Sequence, residues 1–462
     1  MKGSTRSLAI LISVFFFWGF IAASNTVLLA MFKRNFDLAQ WQSQLVDWAF
    51  YSAYAVGSLI YFLISFFRSD PLNKIGYKNG LVIGLMISAA GALLFIPAAS
   101  ANSCWLMLTA LFVVGLGFSL QQIVANPYVI ALGDPSTGAH RISLAGGLNS
   151  LGTMVGPLIT SYAIYGSVSN TDALVDLAEV KLPYLILAIA FVAVAMMILF
   201  SNLPPIKKEE AIQRDLGALK YPQLMWGMFA IFIYVGVEVT IQSNLPALME
   251  SDDILGLPED KTVHFVSLYW GSLMIGRWSQ AISVFKPGKA MHRLLYFIVP
   301  VVAFGVVIGS SWIKGSPVED LYPYASFILL LIVGFLLSRE KPARTLILFS
   351  VMAMAMMLLG LFSEGETALY AFISGGLFCS IMWPCIFSLS LAGLGKYTTQ
   401  GASLLVMMIL GGGVIPIIQG ALADQTGIQQ SYIIPVVCFA LLAFYGWRVT
   451  KILKHQGIDY DE

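Results

Sequence analysis

The sequence predicts an all-α polytopic membrane protein: fourteen spanning helices, arranged as two six-helix bundles with an inserted helical hairpin. Three observations carry that expectation. Of 462 residues, 58% are hydrophobic and only 11% charged, against about 25% charged in an average soluble domain. The apolar residues arrive in blocks, many of about 20 residues, the length that crosses a hydrocarbon core. The basic residues sort by side: with a cytoplasmic N-terminus, 21 of the 26 Lys and Arg fall on cytoplasmic segments or helix ends, as the positive-inside rule requires.

The first block follows the basic tip Lys2 and Arg6, as in a signal peptide, but it runs on too long and lacks a small-residue cleavage site, so it reads as a helix over 7–32. Further spans follow at 44–67, 80–99, 104–132, 142–166 and 183–202. The stretch 185–200 has no polar face, which excludes a soluble bundle. The charged segment 203–221, with KKEE at 207–210, comes next and falls on the cytoplasmic side, so it reads as a linker between an N-terminal bundle (1–202) and a C-terminal bundle (222–462). The second half contains spans at 222–249, 262–286, 293–313, 322–338, 343–362, 368–394, 401–424 and 430–451. Six precede the linker and eight follow; two parallel six-helix repeats would have their linker here. The excess of two is a hairpin, which leaves the topology parity intact and both termini in the cytoplasm.

A net charge of +1 gives no reason to expect nucleic acid as a partner. Cys104, Cys379, Cys385 and Cys438 lack metal-ligand spacing. There is no phosphate-binding Gly-x-x-x-x-Gly-Lys-Ser/Thr loop and no His-Glu-x-x-His motif. A membrane enzyme is therefore disfavoured, and transport driven by a gradient is favoured, with the lipid bilayer as the surrounding partner.

Carboxylates inside the membrane are the sharpest functional signal. Glu238 sits mid-helix and Asp47 early in the second span, while almost every other acid falls in loops or tails. A charged carboxylate at mid-bilayer costs about 3 kcal/mol on insertion scales and usually marks an ion or proton path. In low dielectric it either takes up a proton or is held ionised by a cation, and both residues are candidates for ion coupling. The alternative is a structural carboxylate paired to a neighbouring helix, and Asp47 could simply face water. Amides and aromatic rings are the second signal: amides suit hydroxyl groups and flat rings suit a pyranose face. Asn25, Gln122, Asn126, Asn149, Gln242 and Asn244 are candidate substrate ligands, with Trp48, Trp270 and Trp383 as stacking candidates. In lipid, amides also glue helices together, and Trp marks interfaces, so it is their density as a set that favours a wet polar cavity. Interruptions are the third signal: Asn126-Pro127, Pro384 and Gly411-Gly412-Gly413 with Pro416 are expected to break their helices.

Several segments resemble the fucose:proton symporter family of sugar transporters, a branch of the major facilitator superfamily. They are FFFWGF (15–20), VANPYVIALGDPSTGAHR (124–141), LNSLG (148–152), YVGVEV (234–239), SLYWGSLMIGR (267–277) and the long run from Ser380 to Asp424. The resemblance implies two helical bundles rocking about a central cavity, and a sugar taken up with a proton or sodium ion; no other cofactor is expected. The chain departs from the family at Thr26, after Asn25, and at Gln122, places where fucose carriers hold acids. It also departs at SLAGG (143–147), where polar residues are thinned. Coupling then falls to Glu238, with Asp47 as a second candidate. The segment from about 289 to 339 supplies the extra hairpin, expected to pack outside the C-terminal bundle and to line no part of the cavity. The sequence thus points to a hexose-type monosaccharide symporter of the inner membrane, functional as a monomer. The alternatives are a uniporter and a non-transporting sugar sensor, and the short tail to Glu462 counts against the sensor.

Overall fold

The computed structural model describes residues 2–35, 45–68, 70–165, 181–205, 217–257 and 262–458. Most of the charged linker, the acidic loop around Asp172, Asp176 and Glu179, and the side chains of Asn25 and Asp47 lie outside the described residues. Every described secondary-structure element is a helix. Lipid offers no hydrogen-bond partners, so a spanning backbone must satisfy its own, and the helix does so within one segment.

The helices are α1 (Lys2–Asn35), α2 (Leu45–Arg68), α3 (Pro71–Ser100), α4 (Cys104–Ala131), α5 (Gly138–Tyr165), α6 (Lys181–Leu199), α7 (Pro222–Glu250), α8 (Val263–Ala281), α9 (Lys289–Ile313), α10 (Ala325–Ser338), α11 (Pro342–Leu361), α12 (Gly365–Ile373), α13 (Gly375–Cys379), α14 (Met382–Leu391), α15 (Thr398–Met407), α16 (Gly411–Thr426) and α17 (Ile433–His455). Among the described residues, twelve spans are long and apolar enough to cross a membrane, α12–α14 forming one and α15–α16 another. Helix α1, apolar over 6–21, and α8, which includes Arg277 and Gln280, bring the count to the fourteen that the sequence predicts. The starts follow local chemistry. Asp70 caps α3 by accepting from the backbone N–H of Leu72 at 2.9 Å, and Pro71, Pro222 and Pro342 occupy first-turn positions where no N–H is needed.

Two of the three expected interruptions occur. The span holding Pro384 breaks at 380–381, between α13 and α14, and the one holding the glycine triplet tightens to a 3-10 turn at Met408–Leu410 before α16. The third does not: α4 runs through Asn126-Pro127 to Ala131. A proline forfeits one hydrogen bond, and a helix continues when packing on both sides offsets that loss; residues 123–129 are all buried.

The chain divides into two compact units. One comprises residues 1–134, 151–220 and 394–407, and the other 135–150, 221–393 and 408–462. In the first, α3 packs along α4 and α6, and α2 packs on α4 and α15. Helix α1 lies so close to α5 that a side chain on Gly152 would meet the carbonyl oxygen of Phe16. In the second unit, α7 is flanked by α14, α16 and α17, and α11 lies along α17. Helix α9 packs on α8, with Val307 filling the space over Gly271, and α10 packs on α9 and α11. The other faces of these two helices expose Phe297, Val301 and Val302 on α9, and Leu329, Val333 and Leu336 on α10, as surfaces bathed in lipid do.

Gly152→Val is expected to destabilise the first unit by about 3 kcal/mol or more, the upper end of overpacking costs, because the atom met is backbone and cannot rotate away. A clear drop in thermal unfolding temperature in detergent checks this; an unchanged midpoint would mean that α1 and α5 are not in backbone contact.

Candidate functional site

In the second unit, Tyr234 and Glu238 stand four residues apart on α7 and share one face. The Tyr234 hydroxyl donates to the Glu238 carboxylate. Arg277 of α8 approaches the other carboxylate oxygen, with Nη2 at 3.9 Å from Oε1. The Glu238 and Arg277 side chains are 14% and 12% exposed, so each charge depends on protein partners more than on water. The guanidinium makes two further bonds, from Nε to the Ser380 carbonyl (3.4 Å) and from Nη1 to the Ser150 hydroxyl (2.9 Å). Ser380 lies at the break between α13 and α14, so the interruption presents a carbonyl where a cation needs one. Tyr269 of α8 donates to the backbone carbonyl of Glu238 at 2.7 Å, tying the two helices together at the carboxylate. Trp383 stands next to this group, 6.3 Å from the Tyr234 ring and stacked on Phe387 at 5.5 Å.

Of the other candidates in this unit, Gln242 lies half-buried one turn beyond Glu238. Asn244 turns its amide back to the Thr240 carbonyl at 2.9 Å. Asn149 on α5 and Trp270 on α8 are half-buried. The structure therefore gathers Trp383 around Glu238 and adds Arg277, Tyr234 and Tyr269, which sequence reasoning missed. Arg277 is the one Lys or Arg within α8, and that position in a span is the signal that could have found it.

The first unit holds a second polar group. Trp18 donates from Nε1 to Gln121 Oε1 at 2.9 Å, and Gln121 Nε2 donates to Ser88 at 2.9 Å, so this amide is used up in joining α1, α3 and α4. Gln122 is half-buried, and its side chain interacts with Tyr54 of α2. One turn on, Asn126 donates to the Gln122 carbonyl at 3.1 Å, while its Oδ1 is buried and has no hydrogen-bond partner among the described residues. An unsatisfied buried acceptor costs about 1–3 kcal/mol, and a hydroxyl-bearing ligand would relieve that cost. Trp48, at 66% exposed, stands at the start of α2 away from this group's buried setting.

A family profile described as Major Facilitator Superfamily matches residues 7–318. The chain belongs to that superfamily of membrane transporters and is not an enzyme. Within it, the chain falls in the branch that includes the fucose:proton symporters, as its relatives indicate. It is 34% identical over 438 residues to a protein of Brucella abortus named glucose/galactose transporter, covering 94% of this chain and 91% of the relative. It is 27% identical over 471 residues to the L-fucose-proton symporter of Escherichia coli, covering 96% and 94%. The crystal structure of the E. coli fucose:proton symporter superposes with a TM-score of 0.74 at 24% identity, covering 97% of this chain and 99% of that one.

Removing one member of a buried pair leaves a stranded charge, at a typical cost of 3–5 kcal/mol. Arg277→Met is therefore expected to lower the unfolding temperature more than the double variant Arg277→Met/Glu238→Gln does, as measured in detergent. If the double variant is as unstable as the single one, the carboxylate does not depend on Arg277.

Proposed function

We propose that this protein imports a hexose-type monosaccharide across the cell inner membrane by alternating access, in symport with a proton or sodium ion. The sugar class is supported by relatives named for glucose, galactose and L-fucose that align over more than nine-tenths of this chain. The single observation that carries the coupling is the secluded carboxylate Glu238, whose one described ion-pair partner is Arg277. A proton or sodium ion arriving at Glu238 competes with that guanidinium, which gives the site two charge arrangements. Asp47 remains the second coupling candidate. Gln122 and Asn126 of the first unit are the favoured sugar ligands, and Trp383 of the second unit is the favoured stacking candidate. Asn25, Asn149, Gln242, Asn244, Trp48 and Trp270 are weaker candidates. Both termini face the cytoplasm, a reading supported by the sorting of the basic residues, and the protein acts as a monomer.

A uniporter is the second reading, favoured by the same pair: Arg277 already balances Glu238, so the carboxylate can be structural. Uptake of labelled glucose, galactose and fucose into proteoliposomes under imposed proton or sodium gradients separates the two. Symport predicts accumulation above equilibrium under one gradient, and mere equilibration for Glu238→Gln. A sugar that equilibrates under every gradient and never accumulates would establish the uniporter. In the same assay, Asn126→Leu is expected to raise the half-saturating sugar concentration about tenfold or more, the effect of losing a hydrogen bond worth 1–3 kcal/mol. An unchanged value removes Asn126 from the sugar site.

A further inference from the structure

Helix α5 passes from one compact unit to the other within its own length, the division falling between Ser150 and Leu151. Its first half is fastened to the last turns of α8 by four contacts. His140 Nδ1 lies 3.1 Å from the Gln280 carbonyl, and the Ser143 hydroxyl meets the Gln280 side chain. Trp278 Nε1 donates to the Gly147 carbonyl at 3.1 Å, and Arg277 Nη1 donates to Ser150 at 2.9 Å. The seam depends on small residues: a side chain on Gly147 would strike the Trp278 ring, and one on Gly146 would press on the Arg277 chain. These glycines close the SLAGG stretch at which the sequence departs from the fucose carriers.

Three of the four contacts join neutral groups or a histidine to α8. The fourth is made by the guanidinium that also faces Glu238. We infer that Arg277 is a positioning residue that carries the charge state of Glu238 to the first half of α5, so that neutralising the carboxylate loosens the seam. The inference rests on the reading of Glu238 as the coupling group and deepens it. While Glu238 is ionised, Arg277 has its counter-charge and holds Ser150. When a proton or sodium ion takes the carboxylate, the guanidinium becomes a secluded cation without compensation, a costly state. It relieves that cost by turning to other acceptors or to water, and the bond to Ser150 breaks. The other titratable groups acting on the pair are Tyr234, Tyr269 and Cys379, phenols and a thiol that are uncharged at neutral pH by their ordinary values. Only the carboxylate therefore changes the balance.

The test is a cysteine pair, Ser143→Cys with Gln280→Cys, across the seam in the full-length chain in proteoliposomes. Cys104→Ser and Cys385→Ala are added because Cys104 is partly exposed and Cys385 lies beside Gln280. The rate of disulfide formation under a mild oxidant reads how closed the seam is. Glu238→Gln is expected to slow it about fivefold or more, the effect of roughly 1 kcal/mol. Adding Ser150→Ala should abolish that dependence on Glu238→Gln, and Arg277→Gln should do the same, while Arg277→Lys, which keeps the charge, should restore part of it. If Arg277→Gln does not fold, the Ser150→Ala comparison decides alone. The inference is overturned if Glu238→Gln leaves the rate unchanged, or if its effect survives Ser150→Ala in full. Sugar accumulation in the same vesicles keeps the two readings apart. Accumulation that survives Glu238→Gln ends the coupling role of the carboxylate, whereas the cross-linking rate still reports on Arg277.

Discussion

The hydrocarbon core supplies no water, and every polar group that enters it must find its partner in the protein. Most of what is seen in this chain follows from that constraint. Backbone N–H and C=O groups are paired within helices, and side-chain amides find partners in the protein, as in the chain from Trp18 through Gln121 to Ser88. The few groups left over then stand out. Asn126 Oδ1 is buried with an unused acceptor, and the Ser380 carbonyl is released by a helix break and taken by Arg277.

The same constraint explains why the fold was largely legible in the sequence. A spanning helix announces itself by length and apolarity alone, and the basic residues give its direction. All fourteen spans correspond to helices, including α8, whose Arg277 and Gln280 lower its apolarity. Local irregularity was read less well. Pro384 and the Gly411 triplet mark real breaks, yet Asn126-Pro127 does not. Proline reports a lost hydrogen bond, and whether the helix yields there depends on neighbours that the local sequence does not contain.

The site was half legible for a related reason. Glu238 is visible because a carboxylate in the middle of an apolar run is costly wherever it lies. Arg277 was missed because a basic residue near the end of a span is ordinary, and only the packing of α8 on α7 brings its guanidinium within 3.9 Å of Glu238. The amides separate in the same way. Spacing alone does not separate Gln121 from Gln122, neighbours of one type, and it is the family resemblance that singles out Gln122. In the structure, one is consumed by Trp18 and Ser88, while the other lies on a different face beside Tyr54.

A paired carboxylate suits coupled transport better than a lone one. A lone buried Glu pays the full desolvation cost whenever it is ionised, so it stays protonated and exchanges its ion reluctantly. With Arg277 beside it, the ionised form is affordable, and the neutral form transfers the difficulty to the guanidinium. In the proposed symport, loading an ion on Glu238 passes the cost of seclusion to the guanidinium, and releasing the ion restores the pair. The guanidinium is planar, with several donors in fixed directions. It can therefore hold the Ser380 carbonyl and the Ser150 hydroxyl while it faces the carboxylate. A lysine could balance the charge, but it could not present those donors in fixed directions. The choice of arginine at this position thus fits a residue that must compensate a charge and hold a neighbouring helix at the same time.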